Sequence, residues 1–261
     1  MRKLINIQKE YNNKWGKVLN SLNKTKYDPE NQVDYLKDLT KTIINPFKLN
    51  NKQIVFKNCI LKADIDVKQF FFISYFSNLI YNLTKKYNSV IELGSGFGLR
   101  SLVGSKKTRF YCCELNEKGR LVQKKLSKKL KKKTSTVFFD FNKIQSLNKF
   151  KKLQNKCLMS FTFFEQISNI DEKRFKFLSE VFKKTNFIFF EPVIFKKDKN
   201  IISNYNRKYC KKNKYNNNLI ILLKKYAKNI EVEKNLFCFS YSPNNLNIGS
   251  NVISLIKGTF K

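Results

Sequence analysis

The chain has 261 residues, 53 of them Lys or Arg against 19 Asp or Glu, for a formal charge of +34 with 42% hydrophobic residues. That is enough apolar material to build one large domain and too much for a disordered chain. Histidine is absent, which excludes Ser-His-Asp and Cys-His nucleophile systems, His-ligated metals and an imidazole base, and leaves acid–base chemistry to Asp, Glu, Lys, Tyr, Cys or water.

Residues 1–85 contain glycine only at Gly16. They read as a mainly helical N-terminal extension, broken at Asn45-Pro46. The basic start lacks the apolar stretch of a signal peptide. Within the extension, Val67 to Lys86 spaces Phe70, Phe71, Ile73, Phe76, Leu79, Ile80 and Leu83 as one face of an amphipathic helix. The longest apolar run, Phe70 to Tyr81, is interrupted by Ser74, Ser77 and Asn78 and is far short of the roughly 18 residues of a membrane span. The six cysteines contain no C-x-x-C pair. They read as reduced thiols, with Cys112 and Cys113 as small buried hydrophobes, and a cytoplasmic location is expected.

From Ser89 the pattern changes to short apolar runs alternating with charged helical stretches. Strands are expected at Val90–Leu93, Arg109–Glu114, Thr136–Asp140, Cys157–Phe164, Asn186–Glu191, Phe237–Tyr241 and Val252–Ile256. Helices are expected near 116–131, 171–184 and 216–229. This alternation predicts an α/β, doubly wound, mostly parallel seven-stranded sheet over residues 86–261. Ser242 to Ser250 is too short for a crossover helix, so the last strand should pair antiparallel.

The lysine runs at 124–125, 128–129 and 131–133 read as the solvated face of a helix in a chain rich in Lys, Asn, Ile, Phe and Tyr, a composition that AT-rich codons favour. The other reading of the same charge is a footprint for RNA phosphates.

The most informative stretch is Glu92-Leu93-Gly94-Ser95-Gly96-Phe97-Gly98. With eight glycines in the whole chain, composition alone places about 0.15 of one in a five-residue window, and residues 94–98 hold three. A tight turn after a buried strand needs such residues so that backbone can approach a ligand; close strand–helix packing alone would give the same pattern. A dinucleotide fingerprint requires its third glycine at residue 99, which is Leu99, and a phosphate loop requires a Lys-Ser/Thr that is missing.

What E-x-G-x-G-x-G resembles is the first motif of class I S-adenosylmethionine-dependent methyltransferases. The resemblance implies a Rossmann-like fold, S-adenosyl-L-methionine as cofactor, and a site in which Glu92, Gly94, Gly96 and Gly98 hold it. It further implies that Glu114, closing the strand RFYCCE 20 residues after Gly94, holds the ribose hydroxyls. Asp140 would bond the adenine amine, with Phe141 stacked on the base. Outside the family, Glu114 is equally an ordinary strand-end acid and Asp140 a turn-forming aspartate.

Glu165-Gln166 stands where many small-molecule methyltransferases carry a Glu-His pair, and Glu191-Pro192 ends the fifth strand. Both acids belong at the carboxyl ends of strands, where open α/β sheets bind ligands. With no histidine, the candidates for general base are these two acids or a tyrosine, with helix-dipole capping as the other reading of Glu165. The N-P-P-Tyr signature of base-amino methylation is absent. The expected acceptor is a small polar molecule, such as a sugar or a phosphorylated glycan precursor, with RNA as the alternative. The extension, with Trp15, Tyr27 and Tyr35, would cap the acceptor.

Overall fold

The computed structural model describes residues 2–24, 52–64, 67–68, 74–195, 197–247 and 249–261. Among them the strands are β1 (Gln53–Phe56), β2 (Cys59–Lys62), β3 (Ser89–Leu93), β4 (Arg109–Glu114), β5 (Thr134–Phe138), β6 (Lys156–Phe161), β7 (Asn186–Glu191), β8 (Ala227–Cys238) and β9 (Ile253–Phe260). The helices are α1 (Arg2–Lys24), α2 (Phe76–Thr84), α3 (Leu99–Val103), α4 (Glu117–Lys129), α5 (Glu172–Val181), α6 (Ile201–Lys212) and α7 (Leu219–Tyr226). A 3-10 segment covers Phe141–Phe150 and a single 3-10 turn Phe164–Gln166.

The strands form one sheet in the order β2-β1-β8-β9-β7-β6-β3-β4-β5. Strands β3 to β7 are parallel, and β9 enters antiparallel between β7 and β8. This is the doubly wound, mostly parallel sheet expected, including the antiparallel last strand. It has nine strands where seven are expected, because β1 and β2 form a hairpin that extends the sheet past β8. The described part of the N-terminal extension is mainly helical, in α1 and α2, and adds this hairpin to the expectation. Tyr27, Tyr35, the break at Asn45-Pro46, and Phe70, Phe71 and Ile73 lie outside the described residues.

Alternate residues along each central strand serve two cores, as period-2 geometry requires. Ile91, Leu93, Phe187 and Phe189 face the 3-10 segment, α5 and α7; Val90, Ile188 and Phe190 face Phe76 and Ile80 of α2. All five residues of β3 are buried, the mark of a strand covered on both sides. A third cluster joins Val18 and Leu22 of α1 to Leu102 of α3 and to Val122 and Leu126 of α4. The exposed lysines of α4, among them Lys124 and Lys128, lie away from that contact. Cys112 and Cys113 are fully buried. Among the described residues no helix is long and apolar enough to cross a membrane.

The topology fixes where a ligand belongs. The chain runs outward through β3, β4 and β5, then returns to place β6 on the other side of β3. The loops leaving β3 and β6 therefore diverge at a switch point, where doubly wound sheets form their crevice.

Candidate functional site

Gly94, Gly96 and Gly98 all have left-handed backbone, with φ of 62°, 56° and 82°, a region L side chains enter only at a cost of about 1–2 kcal/mol. Glycine is needed for a second reason as well. A Cβ on Gly94 would stand 2.5 Å from Cδ2 of Phe163, and one on Gly96 would stand 3.1 Å from Cζ2 of Trp15. Phe163 follows Thr162, which has a φ of 55° just after β6. Trp15 comes from α1, packing on Phe97 at 5.3 Å and stacked on Tyr11 at 5.8 Å between ring centroids. Helix α1 thus lies over the glycine loop.

The carboxylates around the loop have distinct positions. Glu92 is fully buried in β3 and pairs through Oε1 with Nε of Arg100 at 2.5 Å. The same guanidinium donates to the Ser95 carbonyl and lies over the ring of Phe161. Burial pushes the Glu92 carboxyl above its usual range, and Arg100 opposes that shift. Glu114 closes β4 and accepts the Gly96 N–H through Oε2 and the Asn116 N–H through Oε1, each at 2.8 Å. Its carboxyl is also raised by burial and held down in part by those two bonds.

This corrects one expectation. The Gly96 N–H does not wait for a ligand, because the carboxylate of Glu114 already accepts it. A loop closed in this way carries negative charge where a phosphate-binding loop presents bare N–H groups, so it disfavours a pyrophosphate. It suits a ligand with hydroxyls and a cationic centre, since each carboxylate oxygen keeps a second lone pair.

The residues fit such a ligand on a further observation. Oε2 of Glu92, Oε1 of Gln123 and Nε1 of Trp15 are buried with no hydrogen-bond partner among the described residues. Gln123 reaches the loop directly, donating to Ser95 Oγ at 2.7 Å and to the Gly96 carbonyl at 2.6 Å. Buried polar atoms ordinarily find partners, so three orphans around one loop mark a place for a polar molecule. That molecule must lie between the Phe163 and Trp15 rings or move them.

Asp140 caps the 3-10 segment by accepting the Asn142 N–H at 2.8 Å. Phe141 follows it and meets Phe163 edge-on at 5.7 Å. Asp140 and Phe141 are accordingly brought to the same end of the sheet as Gly94, and the cofactor candidates converge there.

The two base candidates differ sharply. Glu191 is 1% exposed. Its Oε1 accepts from Ser160 Oγ and from the N–H groups of Phe163 and Phe164, and its Oε2 accepts from the N–H of Glu165. Burial still carries its pKa up to about 7 against those four donors. Such a carboxyl anchors the loop after β6 and has little room for an acceptor. Glu165 accepts from Gln166 Nε2 and from Asn251 Nδ2. Its charge acts on the hydroxyls of Tyr11, Tyr209 and Tyr215, all of which burial raises, Tyr209 to about 12. Glu165 therefore stands within electrostatic reach of three neutral phenols.

The sequence pattern assigns Trp15 only to a general cap and singles out none of Arg100, Gln123, Phe163 and Asn251. Arg100 carried a usable signal, since it follows Gly98 by two residues in the first turn of α3. The others become neighbours only through the tertiary fold.

No family model matches the chain, and no curated protein matches it in sequence. Solved structures similar to it include a SAM-dependent O-methyltransferase from Thermotoga maritima, with 12% identity, 77% of this chain and 72% of that one covered, and a TM-score of 0.43. The tRNA methyltransferase TrmI from Aquifex aeolicus is 17% identical over 74% of this chain and 68% of its own, with a TM-score of 0.37. A SAM-dependent methyltransferase from Aquifex aeolicus is 13% identical over 90% and 99%, with a TM-score of 0.42. The likeness is one of fold.

Proposed function

We propose that the chain is an S-adenosyl-L-methionine-dependent methyltransferase that methylates an oxygen of a small polar acceptor. The observation that carries this is the Glu114 carboxylate bonded to the Gly96 N–H across the switch point, beside the orphaned oxygens of Glu92 and Gln123. Glu114 would hold the ribose hydroxyls, Glu92 and the loop the amino-acid end, and Phe141 with Asp140 the base. The cofactor supplies a methyl group on a good leaving group. What remains for the protein is to hold the acceptor in line, which can contribute about 7–11 kcal/mol.

In this proposal Glu165 takes the acceptor's proton and Glu191 positions the turn that presents it. Asn251 and Gln166 orient the Glu165 carboxylate, and the phenols of Tyr11, Tyr209 and Tyr215 border the acceptor. Helix α1 of the extension over residues 1–85 excludes water above the loop, which strengthens the electrostatics beneath it.

Calorimetry with S-adenosylhomocysteine tests the cofactor half. Binding is expected, and Gly96→Val should abolish it while the chain stays folded. A folded preparation that shows no heat up to millimolar ligand overturns the proposal. Radiolabelled cofactor with cell extract split into RNA, protein and small-molecule fractions tests the acceptor, with label expected in the last. Label confined to RNA or protein replaces the small-acceptor assignment.

A further inference from the structure

Away from the glycine loop, the segment between β7 and α6 joins α7 and β8 around a surface cavity of 570 Å³. Its charged lining is Lys197 and Lys199 from that segment, Lys224 from α7 and Lys234 from β8, against one acid, Asp198. All four lysines are exposed. Lys234 lies 3.7 Å from the Asp198 carboxylate and 4.8 Å above the Phe195 ring. The Asp198 carboxylate also accepts from the Asn200 N–H and Ser203 Oγ, which hold its pKa below the usual range. It offsets one lysine. Lys197, Lys199 and Lys224 form no ion pair among the described residues, so the cavity keeps an excess of cations.

Two features make this more than a solvated charge cluster. The segment is held in shape, because Nη1 of Arg207 donates to the carbonyls of Phe195 and Asp198, both at 2.6 Å. The wall between the lysines is apolar, formed by Ile194, Phe195 and Ile220. The volume lies within the roughly 300–1,000 Å³ of small-molecule sites and exceeds what one phosphate needs. Cations around an apolar wall form a combination that takes a phosphate and the base attached to it.

We propose that this cavity binds a phosphorylated nucleotide unit, with the phosphate on Lys197, Lys199 and Lys224 and the base against Ile220 and Phe195. The site uses none of the residues assigned to methyl transfer and stands independently of that proposal. The unit can be a free nucleotide or one link of a single-stranded RNA.

Fluorescence anisotropy of a labelled short single-stranded RNA, with uridine triphosphate as competitor, tests it on the full chain. The wild type should bind near physiological salt. The variant Lys197→Gln/Lys199→Gln/Lys224→Gln should bind at least about tenfold more weakly. The slope of log affinity against log salt should also fall by about 0.7, the share of one phosphate on a single strand. The matched variant Lys124→Gln/Lys128→Gln/Lys131→Gln removes the same charge from the α4 region and should lose much less. Competition by uridine triphosphate assigns the site to a free nucleotide, and its absence assigns it to RNA. Equal losses in the two triple variants, or no binding of either probe by the wild type, overturn the proposal. Lys224→Glu on α7 gives a second reading of the same contact. S-adenosylhomocysteine calorimetry on the same preparations reports the glycine loop separately, so failure of one site is not mistaken for failure of the other.

Discussion

The carboxylate of Glu114 accepts the Gly96 N–H at 2.8 Å, which ties the end of β4 to the middle of the loop leaving β3. One side chain therefore shapes the loop and, in the proposed site, faces the ribose. Glu114→Gln keeps the volume but sets an amide donor against one of two N–H groups. Hydrogen bonds to charged groups contribute about 1.5–3 kcal/mol, so S-adenosylhomocysteine affinity should fall at least about tenfold. Calorimetry reads the affinity, and a thermal melt confirms that the sheet survives. Unchanged affinity removes Glu114 from the cofactor site.

Gly94 has two independent reasons to be glycine, and they can be separated. Gly94→Ala should destabilise by roughly 1–2 kcal/mol from the left-handed backbone alone, plus whatever the Phe163 ring loses in yielding to a Cβ that would stand 2.5 Å away. Phe163→Leu in the same chain should recover only the contact part. Urea midpoints for the two single variants and the double variant give the coupling, expected at about 0.5–3 kcal/mol. Strict additivity would mean that the ring does not press on the loop.

Glu191 predicts a stability that falls as pH rises. Its carboxyl has an ordinary value of 4.5 and is raised to about 7 in the folded chain by burial. Between those values the folded state binds the extra proton, so stability is full below about 4.5 and is lost as pH climbs through 7. The loss is on the order of 3 kcal/mol at 1.36 kcal/mol per unit. Glu191→Gln removes this dependence, whereas Glu92 and Glu114, raised in the same direction, act alike in both proteins. Urea unfolding from acid to neutral pH should therefore show wild-type stability falling relative to the variant. A difference that stays flat or grows in the wild type's favour contradicts the assignment.

The parts of the fold that could be read from sequence are those fixed by local chemistry. Strands β4 and β7 begin and end where their apolar runs do, because both are buried and bounded by charged or polar residues. The glycine loop was legible because three left-handed positions in five residues leave a mark that composition cannot. Strand β8 was not, since its first eight residues, Ala227 to Lys234, are largely exposed and polar. Only its pairing with β9 makes it a strand, and its sequence looks like the end of the preceding helix. The hairpin of β1 and β2 escaped for a related reason. Its turn residues Lys57 and Asn58 take positive φ of 45° and 65° without the glycine that usually announces such a turn. At the site, Trp15 over Gly96 and Asn251 on Glu165 join residues far apart in the chain, and no local pattern encodes those meetings.

Arg100 and Glu92 form a buried pair, with side chains 10% and 0% exposed. Removing one partner of such a pair typically costs about 3–5 kcal/mol, because the remaining charge is stranded. Arg100→Met should cost that much, and adding Glu92→Gln should restore a substantial part. Denaturant unfolding of Arg100→Met, Glu92→Gln and the double variant decides it. If the double variant is no more stable than Arg100→Met, the bond from Arg100 to the Ser95 carbonyl and the Phe161 contact matter more than the ion pair.

The base assignment rests on the contrast between the two carboxylates. Glu191 accepts from three backbone N–H groups and the Ser160 hydroxyl, whereas Glu165, also buried at 6% exposure, accepts from the side-chain amides of Gln166 and Asn251. A base must reach the proton that it removes, so geometry favours Glu165. Glu165→Gln keeps the size and can still bond Asn251, but it cannot accept a proton. Turnover on the identified acceptor should drop by about 10²–10⁴-fold, with S-adenosylhomocysteine affinity nearly unchanged because no cofactor contact is altered. Asn251→Ala should lower turnover less and shift the acidic limb of the pH–rate profile, since it removes a donor that stabilises the charged form of Glu165. That shift separates a positioning effect from simple loss of packing. If Glu165→Gln turns over at the wild-type rate, no base is needed at this position, and orientation of the acceptor beneath α1 carries the reaction.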